Sequence, residues 1–305
     1  MKALVTGGAG FIGSHLVERL LTDGHQVRVV DNFSTGKREN LEPLVCKALE
    51  VVVADVRHGW ELRDVAAGCE VIFHEAAIVS VPYSVDHPQE THDVNLQGTL
   101  NVLEAARQAK SRRVVFASSA AVYGDAPGLP KHEGMLPTPI SPYGLEKLTS
   151  EHYLSIFTRL YGVETVSLRY FNVFGPRQDP SSAYSGVISI FVDRARRRAP
   201  VTIFGDGSAY RDFVYVTDVV AANMLAATKP GVSGRTYNVA RGEKTTLKDL
   251  VRIVGDRVGQ PLEVLHAAPR AGDITESLAD ITRARSELGF TPAVPVNEGL
   301  ARILA

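Results

Sequence analysis

Lys2-Ala-Leu-Val-Thr-Gly-Gly-Ala-Gly-Phe-Ile-Gly-Ser-His15 opens the chain. Lys2 to Thr6 reads as a buried strand, and it runs without a break into glycines. Gly8, Gly10 and Gly13 make a GxGxxG, and Gly7, Gly10 and Gly13 make an overlapping GxxGxxG. A helical pattern, Ile12 to Thr22, follows at once. Glycines in this setting allow a tight turn, close approach of backbone to a pyrophosphate, and close packing of helix on strand. The helix N-terminus adds free N–H groups and a partial positive charge for the phosphates. A second β-branched run, Val27 to Asp31, ends in an acid eighteen positions after Gly13. A carboxylate there can accept hydrogen bonds from the adenosine ribose hydroxyls and repels a 2′-phosphate, so NAD is expected rather than NADP. Lys37 and Arg38 lie nearby and read as a solvated loop. Asp55, ending a third run from Val51, can reach the adenine edge or cap a helix.

Outward from that stretch, strands and helices alternate. Glu61 to Ala67 suits a short helix, Val71 to His74 a fourth strand, Glu90 to Lys110 a helix and Arg113 to Ser119 a fifth strand. Pro142 to Tyr161 is a long helical pattern, and strand Glu164 to Tyr170 follows. Such alternation, with right-handed crossovers, predicts an α/β protein built on a doubly wound parallel Rossmann sheet. The second half is less regular. Helices are expected at Val187 to Arg198, Val219 to Thr228, Thr246 to Val258 and Ile281 to Leu288. Strands are expected at Val201 to Phe204 and Tyr237 to Ala240, with loops at 176–186 and 205–212. The expected division is an NAD-binding domain over residues 1–170 and a smaller, interleaved C-terminal substrate-binding lobe over 171–305, with later returns of the chain to the first.

Composition narrows the partners. Among 305 residues, 45% are hydrophobic, 22% charged, and the net charge is −1, so no global field favours nucleic acid or an anionic membrane. The basic run Arg194 to Arg198 reads as a solvated helix face. Cys46 and Cys69 match no zinc or CxxC spacing and are expected as reduced thiols in a cytoplasmic protein. No signal peptide or membrane span is legible.

Tyr143 and Lys147 stand four apart, which on a helix puts both on one face. An ammonium beside a phenol is expected to lower its pKa from about 10 and make it a general base towards an alcohol. Ser119 ends the fifth strand, where doubly wound sheets bind ligands. His74 reads as a core histidine, and Glu146 is set aside as facing elsewhere on its helix.

These residues make the chain resemble the extended short-chain dehydrogenase/reductase family, within it the UDP-glucose 4-epimerase branch. The resemblance rests on residues 6–15, Asp31-Asn32, Val94-Asn-Leu-Gln-Gly-Thr99, Ser118-Ser-Ala-Ala-Val-Tyr-Gly124, Tyr143 to Lys147, Arg169-Tyr-Phe-Asn-Val-Phe-Gly-Pro-Arg177, Arg211-Asp-Phe-Val-Tyr-Val-Thr-Asp218 and Arg270-Ala-Gly-Asp273. It implies NAD held by Gly7, Gly10, Phe11, Ile12, Gly13, Asp31, Asn32, Asp55, Val56, Ala76, Asn95, Tyr143 and Lys147. It implies Tyr143 as base, Lys147 on the nicotinamide ribose, and Ser119 on the sugar 4-oxygen. Asn172 would contact the diphosphate or the sugar, with Val187, Arg211, Arg270 and Asp273 completing the UDP-sugar site. Ser277 aligns with a wall position where tyrosine goes with exclusion of N-acetylated sugars. A homodimer through the helices near 90–110 and 143–161 is also implied, and no metal. Ala120 and Ala121 stand where dehydratase and decarboxylase branches carry acids, which favours plain 4-epimerisation. UDP-glucuronate 4-epimerisation, a net nucleotide-sugar oxidoreductase and a non-catalytic NAD sensor are the alternatives.

Overall fold

A computed structural model of the chain describes residues 1–179, 186–268 and 276–304. The first half is a strict alternation: β1 (Lys2–Thr6), α1 (Phe11–Thr22), β2 (Gln26–Asp31), β3 (Leu49–Val53), α2 (Gly59–Ala66) and β4 (Val71–His74). Then come α3 (Val81–Asp86), α4 (Pro88–His92), α5 (Gly98–Ala109), β5 (Arg113–Ser119), α6 (Pro142–Tyr161) and β6 (Glu164–Tyr170). Beyond β6 the chain builds β7 (Asn172–Phe174), α7 (Val187–Arg196), β8 (Val201–Phe204), β9 (Tyr210–Arg211), β10 (Phe213–Tyr215) and α8 (Val216–Thr228). It returns to the main sheet as β11 (Arg235–Val239) and finishes with β12 (Thr245–Thr246), α9 (Leu247–Val258), β13 (Val264–Ala267) and α10 (Val296–Leu304).

The main sheet has seven parallel strands in the order β11-β6-β5-β4-β1-β2-β3. Side chains alternate across it, so each face needs its own cover. Ala3 and Val5 of β1 pack with Leu16, Val17 and Leu20 of α1 and with Val219 and Ala226 of α8. Leu4, between them, enters the opposite core with Leu62, Leu103, Ala106 and Phe157. Full burial of a side chain the size of Leu or Phe is worth about 1.5–3 kcal/mol. Two such layers therefore hold the sheet in place. Strand order reverses at β1, whose neighbours are β2 and β4, which opens a crevice at their C-terminal ends.

The second assembly packs α7, α9 and α10 around Phe174, Ile188, Phe191, Ile203, Leu250, Val254 and Leu300. Its strands pair off separately: β7 with β10, β9 with β12, β8 with β13. Asp212, fully buried between β9 and β10, ties the loops together by accepting bonds from the amides of Arg241, Gly242 and Ala279.

Several expected boundaries move. The third strand starts at Leu49 and stops at Val53, because its pairing with Val27–Asp31 of β2, rather than its β-branched run, sets its ends. The helix expected over 90–110 begins at Pro88 and passes through a π turn at Asp93–Gln97. The loop expected over 205–212 ends in β9. Two-residue strands, and the short α3, exposed except at Tyr83 and Ser84, carry no periodic signal. The terminal helix α10 was not expected.

His74 is placed in the core, 1% exposed, between Thr6 Oγ1 (2.7 Å) and Thr99 Oγ1 (3.0 Å). Burial, reinforced by the charge of Lys147, lowers its pKa from 6.5 to about 3. The unfolded chain thus takes up a proton below 6.5 that the folded protein refuses until about 3. Stability is full above the upper value and is expected to fall by about 1.4 kcal/mol per pH unit on the way down. Urea titrations between pH 7 and 4 should show this slope reduced by one proton in His74→Asn. Equal slopes in both proteins would place the acid sensitivity elsewhere.

Candidate active site

The crevice begins at the glycine turn. Gly7 has φ +67°, and a Cβ on it would stand 2.7 Å from the Ala76 amide nitrogen. A Cβ on Gly13 would stand 2.1 Å from the Gly7 carbonyl oxygen. Only bare backbone lets β1, α1 and the segment after β4 approach this closely. Gly10 is the N-cap of α1 and offers no side chain. The amides of Phe11, Ile12 and Gly13 are therefore left to an incoming anion. Ala76 closes the floor, its amide bonded to Thr6 Oγ1 at 3.3 Å.

Asp31 ends β2 with its carboxylate over this turn. It accepts from the Ala9 amide (2.9 Å) and the Phe33 amide (2.8 Å), leaving lone pairs for ribose hydroxyls. Asn32 donates to Asp55 (2.8 Å), and Asp55 is gripped by the Arg57 guanidinium and amide. That grip holds the Asp55 carboxyl well below the usual carboxylate range. Asp55 caps no helix, since α2 starts from His58. Lys37 pairs with Asp179 at 2.7 Å, and Arg38 lies 4.1 Å from the Phe33 ring centroid. Both side chains stay exposed, as a solvated loop requires, and these surface contacts lie along it. The Val56 side chain is buried in the core beside Leu62. Asn95 spends its whole amide on the protein: Nδ2 on the Ile78 carbonyl and Glu146, Oδ1 on the Ile78 amide. It thereby braces the wall that starts at Ala76.

The catalytic candidates meet at the end of β5. Ser141 caps α6, accepting from the Gly144 amide, with Pro142 in the first turn. A Cβ on Gly144 would stand 2.7 Å from the Ala121 carbonyl, so α6 starts hard against the turn after Ser119. Tyr143 is thereby brought to the same side of the crevice as the Ser119 hydroxyl, which acts on the phenol. One turn along α6, Lys147 donates to the Ala117 carbonyl at 2.7 Å, with Nζ 5.9 Å from the Tyr143 ring centroid.

The expected lowering of the Tyr143 pKa is corrected here. Burial pushes Tyr143 above 10, and the bond with Ser119 only partly offsets it. Lys147 points its ammonium at a carbonyl rather than the phenol, and burial lowers its own pKa to about 8. Removal of both groups from water outweighs their mutual influence. Glu146, set aside from the sequence, is 5% exposed and donor-paired to Asn95 on the inner side of α6. Glu75 was also missed. Its signal was an acid directly after an apolar strand, at the same sheet edge as Ser119.

On the far side, Asn172 starts β7 and donates to the Asp212 carbonyl. Arg211 lies in β9, paired with Thr245, and the neighbouring Tyr210 carbonyl accepts from the Ser277 amide at 3.2 Å. Arg211 and Ser277 thus share one strap. Val187 is the first residue of α7. Arg270 and Asp273 lie outside the described residues. Among the described residues, no cluster of side chains suits a metal ion, and no helix is long and apolar enough to cross a membrane.

The sequence profile of the NAD dependent epimerase/dehydratase family matches residues 3–240. The chain belongs to this family. Among epimerase/dehydratase relatives, a UDP-glucose 4-epimerase of Mycolicibacterium smegmatis is 43% identical, over 99% of this chain and 97% of its own. The crystal structure of a Thermus thermophilus UDP-glucose 4-epimerase in complex with NAD superposes with a TM-score of 0.90 at 41% identity, covering 100% of this chain and 98% of that one. A UDP-N-acetylglucosamine 4-epimerase of Methanobrevibacter ruminantium, in complex with UDP-N-acetylmuramic acid, gives 0.95 at 37% identity, covering 99% and 96%.

The glycine cradle fits NAD, because it is the space that a Cβ would fill, and Asp31 opposes a 2′-phosphate. Wild-type protein should release NAD(H), not NADP(H), on denaturation. Gly13→Ala forces the Gly7 carbonyl to move, so the folded variant should retain less than about a tenth of that nucleotide. Mass spectrometry of the released nucleotides measures both. Full retention by Gly13→Ala would remove the turn from the cofactor site.

Proposed function

We propose that this epimerase/dehydratase is a UDP-sugar 4-epimerase. The reading is carried by one observation: Ser119, Tyr143 and Lys147 converge at the sheet edge beside the glycine cradle, with Ala120 and Ala121 following Ser119. Residues 1–170 hold NAD. Residues 171–305 mainly hold the UDP-sugar, with β11 returned to the first domain. Bound in the glycine cradle, NAD would supply the hydride acceptor, and in its reduced form the donor, for sugar C4.

Tyr143, as its phenolate, takes the proton of the sugar 4-hydroxyl as C4 becomes a ketone. Burial alone keeps the phenol protonated, and the positive charges of Lys147 and of bound NAD would favour the phenolate, with the Ser119 hydroxyl as relay. That hydroxyl can pass a proton between sugar oxygen and phenol without exposing either to water. Lys147, held by Ala117, keeps a positive charge beneath the reacting groups and is placed for the nicotinamide ribose. Turning the 4-keto sugar before hydride returns inverts C4. Alanine at 120 and 121 supplies no further acid or base, so the chemistry stops at inversion. Asn172, Val187, Arg211, Arg270, Asp273 and Ser277 hold the nucleotide sugar. Arginine suits the diphosphate because its planar fork matches phosphate oxygens.

The protein works in the cytoplasm with Cys46 and Cys69 as free thiols. It pairs as a homodimer through the helices near 90–110 and 143–161, of which α6 exposes Leu145, Leu160 and Tyr161.

Tyr143→Phe should lower kcat about 10²- to 10⁴-fold while NAD and UDP-sugar still bind. A coupled assay run on UDP-glucose, UDP-N-acetylglucosamine and UDP-glucuronate tests both base and substrate. Wild-type turnover in the variant would move the base elsewhere. Net accumulation of NADH during turnover would replace the epimerase by a dehydrogenase.

Ser277 leaves room for an acetamido group where a tyrosine ring would fill it. The enzyme should therefore interconvert UDP-N-acetylglucosamine and its 4-epimer, and Ser277→Tyr should remove that activity selectively. Comparing kcat/KM for both sugar pairs decides it. Equal losses on both, or no wild-type activity on acetylated sugars, would rule out Ser277 as the gate.

A further inference from the structure

Glu75 lies one residue beyond β4, where its amide continues the ladder to β1 by donating to the Thr6 carbonyl at 3.2 Å. Its backbone forms part of the surface against which Gly7 packs. On the other side, β4 and β5 are in register at His74 and Phe116. The next residues along are Glu75 and Ala117, and the Ala117 carbonyl is the one that Lys147 grips. Glu75 therefore sits between the glycine cradle and the catalytic lysine.

Its side chain is aimed by a chain of donors. Tyr170 ends β6, in register with Ser119. Its hydroxyl reaches over the end of β5 to donate to Glu75 Oε1 at 2.9 Å. Asn223 of α8 fixes the direction of that proton. Its Nδ2 donates to the Val219 carbonyl at 3.0 Å and to the Tyr170 hydroxyl at 2.7 Å. A flipped amide would set oxygen against the Val219 carbonyl, so the donor orientation stands. With its oxygen accepting from Asn223, Tyr170 must give its own proton to Glu75, which favours the carboxylate form.

We propose that Glu75 is a positioning residue for the catalytic pair: its carboxylate, aimed by the Asn223–Tyr170 relay, is the counter-ion that holds Lys147 cationic beside Tyr143. The proposal rests on the epimerase reading for the roles of Tyr143 and Lys147. The charged and titratable groups around it are few. Glu75 faces Lys147 from α6 and Tyr170 from β6, while neighbouring His74 is neutral and turned to Thr6 and Thr99. Lys147 faces Glu75, Glu146 and Glu151, of which Glu75 opposes its loss of charge most strongly. Burial pushes the Glu75 carboxyl up and the Lys147 ammonium down, and each holds the other towards its charged form. Tyr170, raised well above 10, remains a donor throughout.

The test is the titration of Lys147 itself, by NMR of protein labelled with ¹³Cε-lysine, in the NAD-bound state without sugar. Lys147→Arg assigns the resonance. Glu75→Gln keeps an acceptor for Tyr170 and removes the charge. Lys147 should then lose its proton about one pH unit lower, a tenfold change in proton affinity. The alkaline limb of the kcat profile should move down with it, with KM for the sugar unchanged. Tyr170→Phe should shift Lys147 in the same direction by less, and the double variant no further than Glu75→Gln. An unmoved Lys147 titration in Glu75→Gln, or in Tyr170→Phe should the first variant fail to fold, overturns the proposal. Because no sugar is present, the titration reads Glu75 and Lys147 whether or not the protein proves to be an epimerase.

Discussion

The Gly7 carbonyl oxygen lies so near the α-carbon of Gly13 that a methyl group there would stand 2.1 Å from it. This contact sets the first turn of α1 on the end of β1, directly over the point where strand order reverses. It orients the open amides of the helix toward the crevice and brings Ala76, and with it Glu75, against Gly7. Asp31 completes the turn by bonding the Ala9 amide. The open amides of α1, the Asp31 carboxylate and the ends of β4 and β5 are thus placed from one backbone contact. No side chain larger than hydrogen fits at its centre.

A second constraint is the removal of water from the catalytic end. Tyr143, Lys147 and Glu146 are all less than a tenth exposed. Burial disfavours charge on each, and the opposite signs of Lys147 and Glu146 restore part of it. A carboxylate beside a lysine is here less a source of stability than a means of keeping the lysine charged. One turn beyond Lys147, Glu151 forms a buried pair with Arg169 (2.7 Å) and accepts from Ser118 (2.5 Å). It thereby clamps α6 to β5 and β6. The helix that carries Tyr143 and Lys147 cannot shift along the sheet without breaking that pair.

The second assembly is organised differently. Its strands are two to four residues long, and one carboxylate, Asp212, gathers three backbone amides from the loops around it. Burial pushes Asp212 up to about 6, against the pull of those amides. A lobe built from short pairs and one shared anchor can vary in its loops while the sheet stays fixed.

Local chemistry in the sequence was enough for six of the sheet's seven strands, the glycine turn, Asp31, Ser119 and the Tyr143–Lys147 spacing. Each depends on residues adjacent in the chain or one helical turn apart, while the place of β11 beside β6 came only from the fold. Strand β5, helix α6 and strand β6 were legible to the residue, since apolar runs bounded by Ser, Pro and Gly leave little choice of ends. What joins distant segments was not legible. Nothing local to Glu75 announces Tyr170, 95 positions away, and nothing in Glu146 shows that Asn95 turns inward to meet it. The Tyr143 pKa came out opposite in sign because helical spacing reports proximity but not desolvation. The chain alone determined which groups are present and which share a face. Only the packing of α6 and α8 on the sheet decided which groups lose water, and loss of water governs their charge.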